Sequence, residues 1–345
     1  MTISKKYCFD YKGEAVYLYT LKNDFGIELD ILNLGASIVK LIVPDKYGQP
    51  TDIVLGYSDL KAYIDNPVYL GVTVGRYANR IRDGILSWQG KSYRLEQNDG
   101  PNHLHGGSDG FQHRIWQQVK SDRGLKLEIN SPDGDAGYPG QLTASVEFSL
   151  DGKNLDLIFR ADSKDKTFAN LTNHSYFNLK GEGKGLVLDH VAQMTANYFL
   201  EADQTMIPTG KLIDVTGTAF DFRKAKQIGR DIDKTERQIS LAGGYDHCFV
   251  CDHEALYDAQ VFSEETGIRL SFKTDYPGFQ FYSGNFLDNS ILGKSGQTYP
   301  ARSGFCLESQ FFPNAPNQPN FSLDIVEPGQ SLLKKTSFSF DIIDK

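Results

Sequence analysis

The chain has 345 residues with 44 acidic and 36 basic side chains, a formal net charge of −8. That balance excludes the clustered cationic surface that nucleic acid or an anionic membrane would require. With 40% hydrophobic and 23% charged residues the composition is globular rather than disordered, and no apolar run approaches the about 20 residues of a membrane-spanning helix. The opening MTISKKYCFDYKGE lacks the apolar core of an export signal, so a soluble cytoplasmic protein is expected.

Thirty-three glycines, 18 Tyr and 22 Phe beside 3 Met favour strands and turns over helix bundles. In chain order, Ile27, Leu29 and Ile31 alternate with polar residues. So do Leu125, Leu127 and Ile129, and then Leu142, Ala144, Val146, Phe148 and Leu150. Asp151-Gly152-Lys153-Asn154 separates that run from Leu155, Leu157 and Phe159, the pattern of a hairpin. The segment Asp231 to Ser240 is a short helical exception. Alternation returns at Ile268, Leu270 and Phe272 and at Phe338, Phe340 and Ile342. Turn signals stand at Asn98-Asp99-Gly100-Pro101, Pro132-Asp133-Gly134-Asp135 and Tyr276-Pro277-Gly278. With no repeat or linker, residues 1–345 are expected to form a single all-β domain. Its architecture is a large antiparallel β-sandwich with few short helices and a face able to hold a ligand.

Four cysteines, Cys8, Cys248, Cys251 and Cys306, are too few and too scattered for a disulfide framework, which fits a reducing compartment. Cys248 and Cys251 form a C-x-x-C, but in the strand-like HCFVC residues three apart face opposite ways, and no second ligand pair is spaced for zinc. Gly106-Gly107-Ser108-Asp109-Gly110 matches G-x-S-x-G without the strand before it and helix after it that a nucleophile elbow needs. The glycines at 181, 183 and 185 miss the dinucleotide spacing, and there is no phosphate loop.

Polar clusters interrupt the apolar pattern at residues 75–80 (GRYANR), 102–107 (NHLHGG), 172–178 (TNHSYFN), 244–247 (GYDH), 279–282 (FQFY) and 305–312 (FCLESQFF). If 172–178 is extended, Thr172, His174, Tyr176 and Asn178 share one face. Glu308, placed in sequence among Phe305, Leu307, Phe311 and Phe312, is a carboxylate that must be paired or functional. Each cluster also has a plain structural reading: a lone histidine is more often scaffold than catalyst, Glu308 fits a side chain leaning to solvent, and Arg76 and Arg80 fit surface charges. His103 and His105, with a distant His113, fit a metal pair on one strand face, although no carboxylate supports them.

Taken together in chain order, GRYANRI, NHLHGG followed by Gly110-Phe111, NHSYFNL, GYDHCF, PGFQFYSGNF and SGFCLESQFFPNAPNQP resemble the galactose mutarotases (aldose 1-epimerases). The resemblance covers about residues 71–319. It implies a twisted antiparallel β-sandwich of the galactose mutarotase-like kind and interconversion of the α and β anomers of galactose or glucose without cofactor or metal. It places the general base at Glu308 and the general acid at His174. Sugar contacts fall at Arg80, His105, Asp246 and Gln280, with Asn79 and Tyr176 behind them, and His105 rather than His103 takes the family histidine. The expected partner is a small hexose, with neither nucleic acid nor membrane, on a monomer or homodimer.

This chemistry agrees with the residue types. Opening a cyclic hemiacetal needs a base at the C1 hydroxyl and an acid at the ring oxygen. Three rivals share the pattern. A hexose-6-phosphate 1-epimerase would add a cationic cluster for the dianion. A non-catalytic carbohydrate-binding protein would not need both acid and base. A glycoside hydrolase would pair Asp246 with Glu308.

Overall fold

The structure is a computed structural model that describes residues 1–345 except 234, 324, 344 and 345. Three open sheets dominate it, and every ladder between their strands is antiparallel. The first has five strands in chain order, from Thr2–Tyr11 to Pro50–Asp52. The second has nine and is centred on Leu142–Asp151, Asn154–Asp162, Leu332–Ile342 and Ile268–Thr274. The third runs Pro208–Asp214, Tyr198–Ala202, Asp246–Val250, Gly278–Tyr282, Cys306–Gln310. This is the all-β sandwich expected from the alternation.

The large sheet follows the sequence pattern closely. Leu125, Leu127 and Ile129 are buried between half-buried neighbours, as are Leu155, Leu157 and Phe159. Asp151 pairs with Asn154 across a two-residue turn at Gly152-Lys153, where Gly152 has φ +57, the left-handed conformation that Gly adopts without a Cβ penalty. One continuous cluster joins Leu29 and Ile31 of the first sheet, Phe148 and Phe159 of the second, and Phe249, Phe279 and Leu307 of the third. Burying that apolar surface stabilises by roughly 25 cal/mol per Å².

Two expectations are corrected. The alternation at Ile27, Leu29 and Ile31 reads as a strand with one solvent-facing side, but Glu28–Leu32 is covered on both, because Leu32 enters a second apolar cluster on the opposite face from Leu29 and Ile31. The helix expected over Asp231 to Ser240 starts later, at Arg237–Ala242, and ends at Gly243 in the left-handed conformation. Asp231 is held instead by Lys226 Nζ at 2.7 Å, after a short 3-10 turn at Ile228–Arg230, and position 234 of that expectation lies outside the described residues.

Candidate active site

Strand alternation in the third sheet sorts its side chains. His247, Phe249, Phe279, Phe281 and Leu307 turn to one side, the hydrophobic ones into the main core. Asp246, Tyr282, Cys306 and Glu308 therefore share the other face. Register puts Asp246 opposite Tyr282 and Tyr282 opposite Cys306, while Gln280 stands between Cys248 and Glu308. The short strand Thr172–Asn173 pairs with Thr73–Val74, and the chain then delivers His174, whose N–H donates to the carbonyl of Val72 at 2.9 Å while its own carbonyl accepts from Gly71 N–H at 2.9 Å.

These elements enclose a cavity of about 270 Å³ lined by Asn79, Arg80, Asp99, His105, His174, Tyr176, Asp246, Tyr282 and Glu308, together with Tyr69 and Phe286. That size is at the small end for ligand sites and suits a monosaccharide rather than a nucleotide. His174 Nε2 lies 3.6 Å from Glu308 Oε2, and their side chains are 6% and 3% exposed. Glu308 Oε2 is buried without a hydrogen-bond partner, although burying such an atom unpaired costs about 1–3 kcal/mol. The cavity thus presents a carboxylate oxygen that lacks a donor, beside an imidazole nitrogen.

Around this pair the polar groups are tightly held. Arg80 Nε donates to Asp99 Oδ2 at 2.7 Å. Gln280 Nε2 donates to Asp246 Oδ1 at 2.7 Å, and Gln310 Nε2 donates to Gln280 Oε1 at 3.0 Å. The N–H of Asn79 donates to His105 Nδ1 at 3.1 Å, so the neutral ring carries its proton on Nε2 and acts there as a donor. Tyr69, Asn79 and His105 have φ of +59, +64 and +53, a strained region for non-glycine residues that here coincides with the cavity wall.

Burial sets the charge states. It pushes the His174 pKa down to about 4. It also pushes His105 well below its ordinary value, with His174 and Arg80 adding repulsion. Glu308 is driven well above the usual carboxylate range, first by burial and then by Asp246, with Arg80 opposing. Asp246 is raised for the same leading reason. Burial thus biases the imidazole toward its neutral form and the neighbouring carboxyl toward its protonated form.

The comparisons with known proteins agree with this geometry. A family model described as aldose 1-epimerase matches residues 17–339. The chain belongs to the aldose 1-epimerase family. It is 42% identical over 330 residues to a galactose mutarotase of Sus scrofa, covering 95% of each chain. It is 35% identical over 337 residues to an aldose 1-epimerase of Escherichia coli, covering 95% of this chain and 96% of that one. Among solved structures, an aldose epimerase homologue from C. elegans aligns with a TM-score of 0.88 at 32% identity, over 95% of this chain and 99% of that one. A galactose 1-epimerase from Lactobacillus acidophilus gives 0.88 at 28% identity, over 99% of both.

In this epimerase-family chain, seven of the eight residues expected at the site line the cavity: Asn79, Arg80, His105, His174, Tyr176, Asp246 and Glu308. Gln280 does not. It stands behind the wall, where its amide orients Asp246. Tyr176 contributes its ring, since its hydroxyl donates to the carbonyl of Val68 at 2.9 Å. The expected stripe from Thr172 to Asn178 is halved, because the chain leaves strand geometry after Asn173. Asn178 instead holds the carbonyls of Gly185 and Ser303.

Arg76 is no surface charge. It is 2% exposed, and its guanidinium donates to Ser131, Thr167 and the carbonyls of Pro139 and Gly140. His103 and His105 do not form a metal pair. The two nitrogens of His103 are engaged by the Glu96 carbonyl and the Tyr138 hydroxyl, both at 2.7 Å, and His113 turns to the carbonyl of Ile64. The structure instead gathers His105, His174 and Glu308, whose ligand-type atoms lie within 4.8 Å of one another. A cation there would need the His105 lone pair on Nε2, which the Asn79 hydrogen bond assigns to a proton.

Sequence reasoning missed Asp99, visible only as part of a turn, Phe286, which closes the PGFQFYSGNF segment without being singled out in it, and Tyr69, which carries no local signal at all.

Proposed function

We propose that this chain, acting as one unit over 1–345, is an aldose 1-epimerase that interconverts the anomers of an unphosphorylated hexose such as galactose or glucose, with Glu308 as base and His174 as acid. The observation that carries this reading is the unpartnered, buried Oε2 of Glu308 beside His174 Nε2. A C1 hydroxyl supplies the missing donor and favours the ionised carboxylate, so that the carboxyl proton passes to His174 Nε2. Glu308 then takes the hydroxyl proton while His174 protonates the ring oxygen, and the ring opens to the aldehyde. Rotation about the C1–C2 bond turns the other carbonyl face. Reclosure returns one proton from Glu308 to O1 while His174 takes one back from the C5 hydroxyl. The pair holds the same number of protons at the end as at the start.

Arg80, the Nε2–H of His105 and Asp246 are suited to hold sugar hydroxyls, and the rings of Tyr176 and Tyr282 to pack on apolar sugar faces. The lining disfavours a phosphorylated substrate. Its single guanidinium is already paired with Asp99, and Asp246 and Glu308 add further carboxylates. The joint presence of acid and base distinguishes the site from a merely sugar-binding one. No helix among the described residues is long and apolar enough to cross a membrane, and the scattered free cysteines fit a cytoplasmic location.

Polarimetry on freshly dissolved α-glucose and α-galactose tests the function. Exchange is expected to be accelerated for both, while glucose 6-phosphate is turned over at least about tenfold less efficiently, the worth of one unfavourable charge contact of about 1.4 kcal/mol. Equal turnover of the phosphorylated sugar would select the rival epimerase instead.

The charge states also fix a pH profile. Because His174 is depressed, the doubly protonated pair forms only near or below pH 4. Because Glu308 is raised, the fully deprotonated pair forms only above the ordinary carboxylate range. In kcat/KM against pH, the acid limb should therefore lie near pH 4. An acid limb centred near the ordinary histidine value of about 6.5 would contradict the buried pair.

A further inference from the structure

Two side-chain oxygens of the strand Cys306–Gln310 are buried with no hydrogen-bond partner, Glu308 Oε2 and Gln310 Oε1. The reaction accounts for the first. It does not account for the second, since Gln310 is 0% exposed and is not part of the cavity lining. An orphaned polar atom of this kind calls for a reason. We propose that Gln310 is a positioning residue which, through Gln280, holds Asp246 as an acceptor-only carboxylate and so makes the site select a sugar with a hydroxyl at one particular position. The proposal rests on the reading of Asp246 as a sugar contact.

Register sets these residues on a diagonal across three strands. Asp246 is paired with Tyr282, Gln280 with Glu308, and Gln310 with Gly278, so each stands one strand over and two residues along from the next. Diagonal neighbours on one face are too far apart for short side chains and within reach of long ones. Gln280 Nε2 accordingly reaches Asp246 Oδ1 at 2.7 Å, and Gln310 Nε2 reaches Gln280 Oε1 at 3.0 Å.

The direction of this relay is fixed from the carboxylate end. An ionised carboxylate carries no hydrogen, so Gln280 must turn Nε2 towards it, and Oε1 is left facing Gln310. That buried carbonyl needs a donor, which Gln310 supplies. Reversing either amide, or both, would bring two oxygens together. With Nε2 so committed, Gln310 Oε1 goes without a partner where the relay ends.

Asp246 Oδ1 is thereby occupied, and Oδ2, to which none of the described residues donates, is the oxygen open to a sugar. Burial raises the Asp246 pKa, while the charge of Arg80 and the hydrogen bond from Gln280 oppose the rise. A carboxylate kept in this form accepts from a hydroxyl and gains nothing from hydrogen or fluorine in its place.

Discrimination among analogues tests this. On the full chain, anomer exchange of glucose is compared with that of its monodeoxy and monodeoxyfluoro analogues, one position at a time. At one position wild type should lose about tenfold or more in kcat/KM with both analogues, the worth of one hydrogen bond. Gln310→Met keeps the volume and removes the amide. Its KM for glucose should rise about tenfold with kcat within about twofold. Discrimination at that one position should nearly vanish, and at the others it should hold.

Gln280→Met should behave alike, and the double variant should be no worse than Gln280→Met alone, because Gln310 acts through Gln280. Gln310→Met removes one orphaned oxygen and creates another, on Gln280, so its melting temperature should stay near wild type. Gln310→Leu repeats the test with a second apolar side chain. Losses spread evenly over all sugars, effects of the two substitutions that multiply, or wild-type KM and discrimination in Gln310→Met would each overturn the proposal. Wild-type protein that exchanges glucose but discriminates at no position would overturn it too, whereas failure to exchange glucose at all would strike the proposed function itself.

Discussion

Glu308→Gln is expected to lower the rate of anomer exchange by about a thousandfold or more, within the range a positioned proton-transfer group supplies. The substitution keeps the side chain's shape and leaves the cross-strand pairing with Gln280 intact. An amide neither accepts the C1 proton nor returns it. The buried oxygen that lacks a donor is replaced by a group that brings its own, so the cavity should lose chemistry without losing form. Sugar affinity, measured by calorimetry, should remain within about tenfold, the worth of a single hydrogen bond. A variant with near-wild-type polarimetric rates would remove Glu308 from the role of base. A variant that no longer binds sugar would make it a binding residue instead.

His174→Asn should cost about 10²–10⁴ in kcat with a much smaller change in KM, since the lost interaction develops only as the ring oxygen takes its proton. Asparagine is smaller than the ring it replaces and leaves space beside Tyr176, whose ring centroid stands 5.1 Å from that of His174, and beside Tyr69 at 6.0 Å. A melting curve on the same variant separates loss of packing from loss of acid. If polarimetry at saturating sugar showed kcat unchanged and only KM raised, His174 would be a binder, and the proton for the ring oxygen would have to come from elsewhere in the cavity.

Much of this was legible in the sequence because it is local. Alternation of period two at Leu125, Leu127 and Ile129, or at Leu155, Leu157 and Phe159, reports directly which face of a strand is buried. An acidic side chain set among Phe305, Leu307, Phe311 and Phe312 announces that it needs a partner. The chain order of the six polar clusters marked the family. Where local reading failed, a distant segment had decided the outcome. Leu32 is buried because a second cluster covers the reverse face of its strand, and Asp231, well ahead of the helix that begins at Arg237, is engaged by Lys226.

At the site itself the sequence determined which residue types were available, and the fold decided how they meet. Nothing local brings His174 to 3.6 Å from Glu308, sets Asp99 against Arg80, or places Gln280 behind Asp246 as its support instead of in contact with the cavity. Those relations follow from strand register and from the loops seated over the sheet. A strand's own residues specify its two faces but not which neighbour, how far away along the chain, will be aligned with each. For the same reason Cys306, one of four scattered cysteines in the sequence, stands beside the imidazole of His174 only once the chain has folded.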